Sequence, residues 1–177
     1  MKRILFAVVL ATTLAACSSN DKRVNAEETQ AVYMTTRLMP ATSGGKAYIG
    51  PHINSMDDEN TYQMYNLSSV VNSQGVASYQ LVVLLTYYKK YRYYESANVN
   101  NKPSSTFKVI SREEGVCAQE GCAFKELLGI DMSEQYLQGH VEHGFEVAIS
   151  SKVGNKSVLY VPGPYIKGFL AAMKGKK

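Results

Sequence analysis

The residues best equipped for chemistry lie in four places. His140 and His143, with Glu142 between them, could supply metal ligands or acid–base groups. Their order, His-Val-Glu-His, departs from the His-Glu-x-x-His pattern that sets two imidazoles and a general base along one helix. Two imidazoles also fall short of the three protein ligands that a catalytic zinc usually takes, and His52 is remote in sequence. Histidines in a last helical turn find a partner in the negative end of the dipole. We read the pair as structural. Asp57-Asp58-Glu59 sits in a polar segment, Asn54 to Asn60, without the glycine and spaced oxygen ligands of a dedicated calcium loop. It reads as an exposed acidic loop. From Tyr87 the chain runs Tyr-Tyr-Lys-Lys-Tyr-Arg-Tyr-Tyr. Tyr87, Tyr88, Tyr91, Tyr93 and Tyr94 could form a stacking surface for a sugar, peptide or base, since each offers apolar area and a hydroxyl. We favour the alternative, in which alternate tyrosines cover the edge of a sandwich while Lys89, Lys90 and Arg92 solubilise the outer face.

The fourth place is the cysteines, and they depend on the leader. Lys2 and Arg3 precede an apolar run, Ile4 to Leu14, too short to span a bilayer, and Ala15-Ala16 stand ahead of Cys17. That is a secretory signal over residues 1–16. Leu14-Ala15-Ala16-Cys17 resembles the lipobox of bacterial lipoproteins, a resemblance confined to the leader and its cleavage site. It implies that Cys17 becomes the first mature residue and carries several acyl chains, enough for stable attachment where one chain binds reversibly. Ser18 follows where lipoproteins kept in the inner membrane usually carry Asp, so the resemblance implies the outer membrane, with the domain facing the periplasm. After the leader no apolar run approaches the roughly 20 residues of a membrane helix, so the chain should be tethered rather than spanning. In such an oxidising compartment Cys117 and Cys122 should form a structural disulfide. Their four-residue spacer is not the two-residue spacer of thioredoxin-like redox motifs. Closing so short a loop contributes about 2 kcal/mol in the chain-entropy model.

Of 19 basic residues, Lys2 and Arg3 go with the leader, which leaves 17 against 15 acidic ones. So small a surplus is no nucleic-acid signature. Ser18 to Gln30 is polar and too poor in apolar residues to offset its ordering entropy, so residues 17–30 read as a lipidated tether, and 31–177 as one domain.

The elements that must position these groups read mainly as strands. Ala31 to Met39 is β-branched and aromatic and stops at Pro40, as a first strand would. Thr61 to Asn72 and Val76 to Tyr94 flank Ser73-Gln74-Gly75 and make a hairpin whose second arm, apolar on both faces around Leu81 to Leu85, is a central strand. Asn98 to Ser105 is a loop; Thr106 to Arg112 is a strand closed by Glu113-Glu114-Gly115; Cys122 to Ile130 reads as a further strand, a helical turn ending at Gly129 being the alternative. Asp131 or Ser133 caps a helix that could run to Gly144. Phe145 to Ser151 and Ser157 to Val161 form a second hairpin, with Phe145, Val147 and Ile149 inward. Pro164 opens a helix that buries Tyr165, Ile166, Phe169, Leu170 and Met173. Six to eight strands and one or two helices predict an antiparallel β-sandwich with a C-terminal helix, α+β being the alternative.

No Gly-x-Ser-x-Gly elbow, phosphate loop or zinc-protease motif is present, so the sequence assigns no catalytic, cofactor-binding or metal residues. The expectation is a non-enzymatic lipoprotein of the cell envelope with a structural or protein-binding role. The alternative is a module binding peptidoglycan, oligosaccharide or lipid through the tyrosine-rich strand, and a metal-dependent enzyme ranks last. If Cys17 carries the anchor, Cys17→Ser leaves the chain unprocessed or soluble; mass spectrometry of the mature N-terminus and fractionation of membranes check this, and an unacylated parent would refute it.

Overall fold

The computed structural model describes residues 23, 25–42, 44–118 and 121–176. The leader, Cys17 and the first residues of the tether lie outside them. Residues 25–35 form a helix, α1, and the chain then adds β1 (Arg37–Pro40), β2 (Lys46–Ile49), β3 (Ile53–Met56), β4 (Tyr62–Val71), β5 (Ala77–Tyr88), β6 (Tyr94–Val99) and β7 (Lys102–Pro103). It continues through β8 (Phe107–Ala118), β9 (Gly121–Met132), α2 (Glu134–Gly139), β10 (Phe145–Ser151), β11 (Lys156–Val161) and α3 (Gly163–Gly175).

Among the described residues all pairing is antiparallel. A large sheet takes the order β1-β2-β4-β5-β9-β8, with β3 on β4, and a small sheet takes the order β11-β10-β6-β7. The two share one core with α3: Leu67, Leu81, Val83, Leu85, Leu128 and Ile130 from the large sheet meet Val147, Ile149, Leu159 and Val161 from the small one. The fold is mainly β with a small helical part, as the strand patterning implies.

Both predicted hairpins form. Ala77 to Val71 and Ser78 to Val70 begin a register that continues to Thr86 opposite Tyr62, and Gly75 takes φ +82° in the turn. β5 is central, between β4 and β9. Its odd positions from Tyr79 to Tyr87 are buried, whereas its even positions are only half-buried. Ser133 caps α2 by accepting from the Tyr136 backbone N–H at 3.0 Å.

Several boundaries fall elsewhere. The strand expected over Ala31 to Met39 is α1 up to residue 35 and β1 only from Arg37. Its β-branched residues tolerate the helix because Thr35 and Thr36 return their hydroxyls to the carbonyls of Ala31 and Val32, both at 2.7 Å. Residues 25–30 of the expected tether belong to the same helix. Glu113-Glu114-Gly115 does not end β8; register shifts at Val109/Ser111 and Glu114/Cys117 absorb the irregular residues as bulges, and the strand runs on to the disulfide. Asn54 to Met56 of the expected acidic loop pair with β4, and Asn98, Val99, Lys102 and Pro103 pair across a two-asparagine turn with positive φ. α2 stops at Gly139, short of Gly144.

Two glycines allow the helices to approach. β2 and β3 share one edge of β4, and the break between them at Gly50-Pro51 is filled by the Tyr165 hydroxyl of α3. That hydroxyl donates to the Pro51 carbonyl at 2.8 Å and accepts from the Leu67 N–H at 3.1 Å. A Cβ on Gly50 would sit 2.5 Å from that oxygen. At Gly168 a Cβ would lie 2.4 Å from the Thr29 carbonyl oxygen and 2.8 Å from the Val32 Cβ, so α1 lies directly on α3.

Gly168→Ala therefore sets two effects against each other. Helix propensity gains about 0.5–1 kcal/mol, while forcing a methyl between packed backbones costs about 1–3 kcal/mol. The clash is with a carbonyl and cannot be relieved by a rotamer, so the variant should melt a few degrees below the parent. Thermal unfolding by circular dichroism reads this directly, and a rise in Tm would mean that α1 is not docked.

Candidate functional site

The polar groups converge on the seam between the sheets. Glu126 of β9 has no exposed surface, although Phe124, Leu128 and Ile130 on the same face are apolar. Its carboxylate accepts from the Arg112 Nε of β8 at 2.8 Å, from the Tyr94 backbone N–H at 3.2 Å, and from the Tyr87 hydroxyl in a short hydrogen bond. The Arg112 Nη2 donates to the Tyr94 carbonyl at 2.9 Å. Both backbone polar groups of Tyr94 are thus held by one ion pair from the opposite sheet. β7 pairs only with Asn98 and Val99, so among the described residues no strand stands on that side of β6 at Tyr94, and the ion pair takes its place.

The network continues. The Arg92 guanidinium lies 4.6 Å from the centre of the Tyr87 ring, donates to Thr61 Oγ1 at 2.6 Å, and pairs with Glu59 at 3.3 Å. The Tyr94 hydroxyl is 3.0 Å from Ser157 Oγ, which donates to Asp57 Oδ2 at 2.7 Å. Asp57 Oδ1 accepts from the Thr61 and Glu59 backbone N–H groups, the pattern of an Asx turn. Asp57 closes its own loop and ties it to β11. Burial pushes the Tyr87 phenol up, and the hydrogen bond to Glu126 adds to it, so it stays protonated as the donor of that bond. Burial also pushes Tyr79 up to about 12, with Glu134 adding to it.

The five tyrosines of the run part company. Tyr87 and Tyr94 are fully buried, edge to face at 6.0 Å, as parts of this network. Tyr91 rests on Phe124 with ring centres 4.4 Å apart, and Tyr93 follows at 5.3 Å from Tyr91. Tyr88 is exposed and lies on the other side of the large sheet. Instead of continuing as strand, residues 89–93 bend, with Lys89 at φ +88° and Tyr93 at φ +55°. The alternation expected of the run therefore holds only to Tyr88, and no single stacking surface contains all five rings.

Cys117 and Cys122 are bonded, S–S 2.02 Å, across the β8–β9 turn. Glu114 lies beside them, 3.9 Å from Cys117 Sγ. It forms with the two sulfurs the one cluster of potential ligands found among the described residues, and the sulfurs are committed to each other. His140 stacks on Tyr136 at 4.1 Å. Its Nδ1 donates to the Tyr136 carbonyl at 2.7 Å and its Nε2 accepts from Asn100 Nδ2 at 3.0 Å, so both ring nitrogens are engaged. His143 is exposed and lies beyond the end of α2.

Residues 1–18 match the family described as prokaryotic membrane lipoprotein lipid attachment site. The motif points to a membrane-anchored lipoprotein, in agreement with the resemblance read at Leu14 to Cys17. No curated protein and no solved structure matches the chain. Among the described residues, no helix is long and apolar enough to cross a membrane.

The network makes a pH prediction. Burial pushes the Asp57 carboxyl up, but hydrogen bonds from Ser157, Thr61 and Gln63 outweigh it and hold the group below its ordinary 3.8. A carboxylate favoured by the folded state contributes stability above its unfolded pKa of about 3.9, and that contribution is lost as pH falls through the lower folded value. Asp57→Asn should therefore lower Tm at pH 7, with the gap to the parent closing below about pH 4. A gap independent of pH between 2.5 and 7 would refute an ionised Asp57 in the seam.

Proposed function

We propose that this protein is an outer-membrane lipoprotein whose domain faces the periplasm and serves, without catalysis, as a docking module for another envelope protein. The observation that supports this reading is the outer face of the large sheet. Met64, Val82, Leu84 and Leu127 lie side by side across β4, β5 and β9, half-buried by their neighbours in the sheet. Met56, Tyr62 and Tyr88 extend the band at one end and are exposed. At the other end Gln80, Lys108 and Asp131 form a hydrogen-bonded polar cluster, with Gln80 Nε2 and Lys108 Nζ donating to Asp131 Oδ1 at 2.7 and 2.9 Å. An apolar centre with a polar margin, rich in Met and Tyr, is the anatomy of a protein interface rather than of a small-molecule pocket. Ser18 after the lipidated cysteine supports the outer membrane.

The test places a photo-crosslinking amino acid at Leu84 in the full chain in living cells. A discrete adduct with a different envelope protein, lost on Leu127→Asp while the melting curve is unchanged, supports the reading. An adduct with a second copy of this chain, or none at all, overturns it.

A further inference from the structure

We propose that the cleft where the tyrosine-rich bend meets the small sheet is a binding site for an acidic saccharide. This cleft, of about 450 Å³, is lined by Tyr93, Glu95, Arg112, Lys152 and Val153, within the roughly 300–1,000 Å³ of small-molecule sites. It is separate from the outer sheet face and does not depend on a protein docking there.

The geometry of Tyr93 carries the inference first. Its backbone adopts φ +55°, a left-handed conformation that bulky residues rarely take, yet the residue is 50% exposed. Burial does not explain why an aromatic residue occupies a position that glycine would fill without strain. Such outliers persist where the surroundings impose them and cluster at binding sites. The Arg112 guanidinium lies 5.3 Å from the centre of the Tyr93 ring, and the Tyr91 ring lies 5.3 Å away with a tilt of 35°, so two neighbours contact the ring while the residue stays half-exposed.

The charged groups narrow the ligand class. Arg112 is oriented by Glu126 through Nε and by the Tyr94 carbonyl through Nη2, while Nη1 has no hydrogen-bond partner among the described residues. A guanidinium locked in this way is ready to bind an acid group without reorganising. Lys152, with 74% of its side chain exposed, adds a second cation and pairs with Glu95 at 3.3 Å. A bare polyanion would be repelled by Glu95. A ligand with one acid group and several hydroxyls satisfies all three: the acid meets Arg112 and Lys152, a hydroxyl donates to Glu95, and the C–H face of the ring lies on Tyr93. An acidic sugar has that composition.

Isothermal titration of the full mature chain in detergent tests this with three probes. One is an amino-sugar disaccharide bearing a lactyl carboxylate, as in cell-wall glycan. One is a 2-keto-3-deoxy sugar acid, as in glycolipid cores. The third is the neutral N,N′-diacetylchitobiose. The proposal expects saturable binding of at least one acidic sugar, at least tenfold tighter than the neutral one, and which acid binds identifies the source. Tyr93→Gly relieves the strained backbone, so it should keep or raise Tm while weakening binding at least tenfold. Lys152→Gln, on an exposed side chain, should weaken binding without moving Tm. Saturation by neither acid, equal affinity for the neutral sugar, or undiminished binding by Lys152→Gln would overturn the site.

Discussion

The structure depends on a carboxylate buried where a hydrophobic residue would ordinarily lie. Glu126 is inaccessible to solvent, and removing an ion from water costs several kcal/mol unless every lone pair is matched. Here the match comes from Arg112, Tyr87 and the Tyr94 amide, and Arg112 is in turn bound to the Tyr94 carbonyl. Such a pair is weak evidence for added stability, because an apolar substitute of similar volume can stabilise as well. Its specific consequence is positional. The first residue of β6 can sit at only one height against the large sheet, and the bulge at Ser150/Ser151, where β10 loses register with β6, falls opposite that same residue.

Everything at that end of the molecule inherits the constraint. The bend at residues 89–93 is pinned by the Lys89 N–H on the Cys122 carbonyl at 3.2 Å and by Arg92 on Glu59, and Asn155 from the β10–β11 turn reaches Glu59 at 2.7 Å. Four turns from two sheets are thereby gathered around one buried acid. The other end is organised by helices: Asn25 and Ala26 of α1 stand beside Val141, Glu142, Pro164 and Lys167. β5, with 12 residues, separates the two ends by about 40 Å at about 3.3 Å per residue. An anchor at Cys17, eight residues before position 25, would hold the helical end within about 30 Å of the membrane.

Much of the domain was legible because local chemistry and tertiary demand agree there. Phe145 to Ser151 alternates with one buried face, Gly75 supplies the positive φ of its turn, and Ser133 caps α2 with its own hydroxyl. Ala31 to Met39 misleads because β-branched residues carry only a weak local preference. Docking α1 through Val32 against Gly168 outweighs it. The candidate site was legible only as a list of residue types. A signal for Glu126 does exist, a charged residue in step with Phe124, Leu128 and Ile130, but nothing local says that Arg112 stands opposite it across a bulged pair.

By itself the sequence determined the lipid-attachment leader, the mainly antiparallel fold, the two hairpins, the C-terminal helix and the pairing of Cys117 with Cys122. The elements are written in contiguous residues, through period-two alternation, turn glycines and caps, whereas the disulfide follows from the leader, which implies an oxidising compartment and an acylated Cys17. Only the tertiary structure decided that Tyr87 and Tyr94 belong to the core, that Tyr93 lines a cleft and Tyr88 lies on the opposite face, and that Asp57 ties its otherwise exposed acidic loop to β11. Those outcomes rest on contacts between residues such as Asp57 and Ser157, a hundred positions apart. A contact at that separation is made by the stacking of sheets, and no window along the chain contains it.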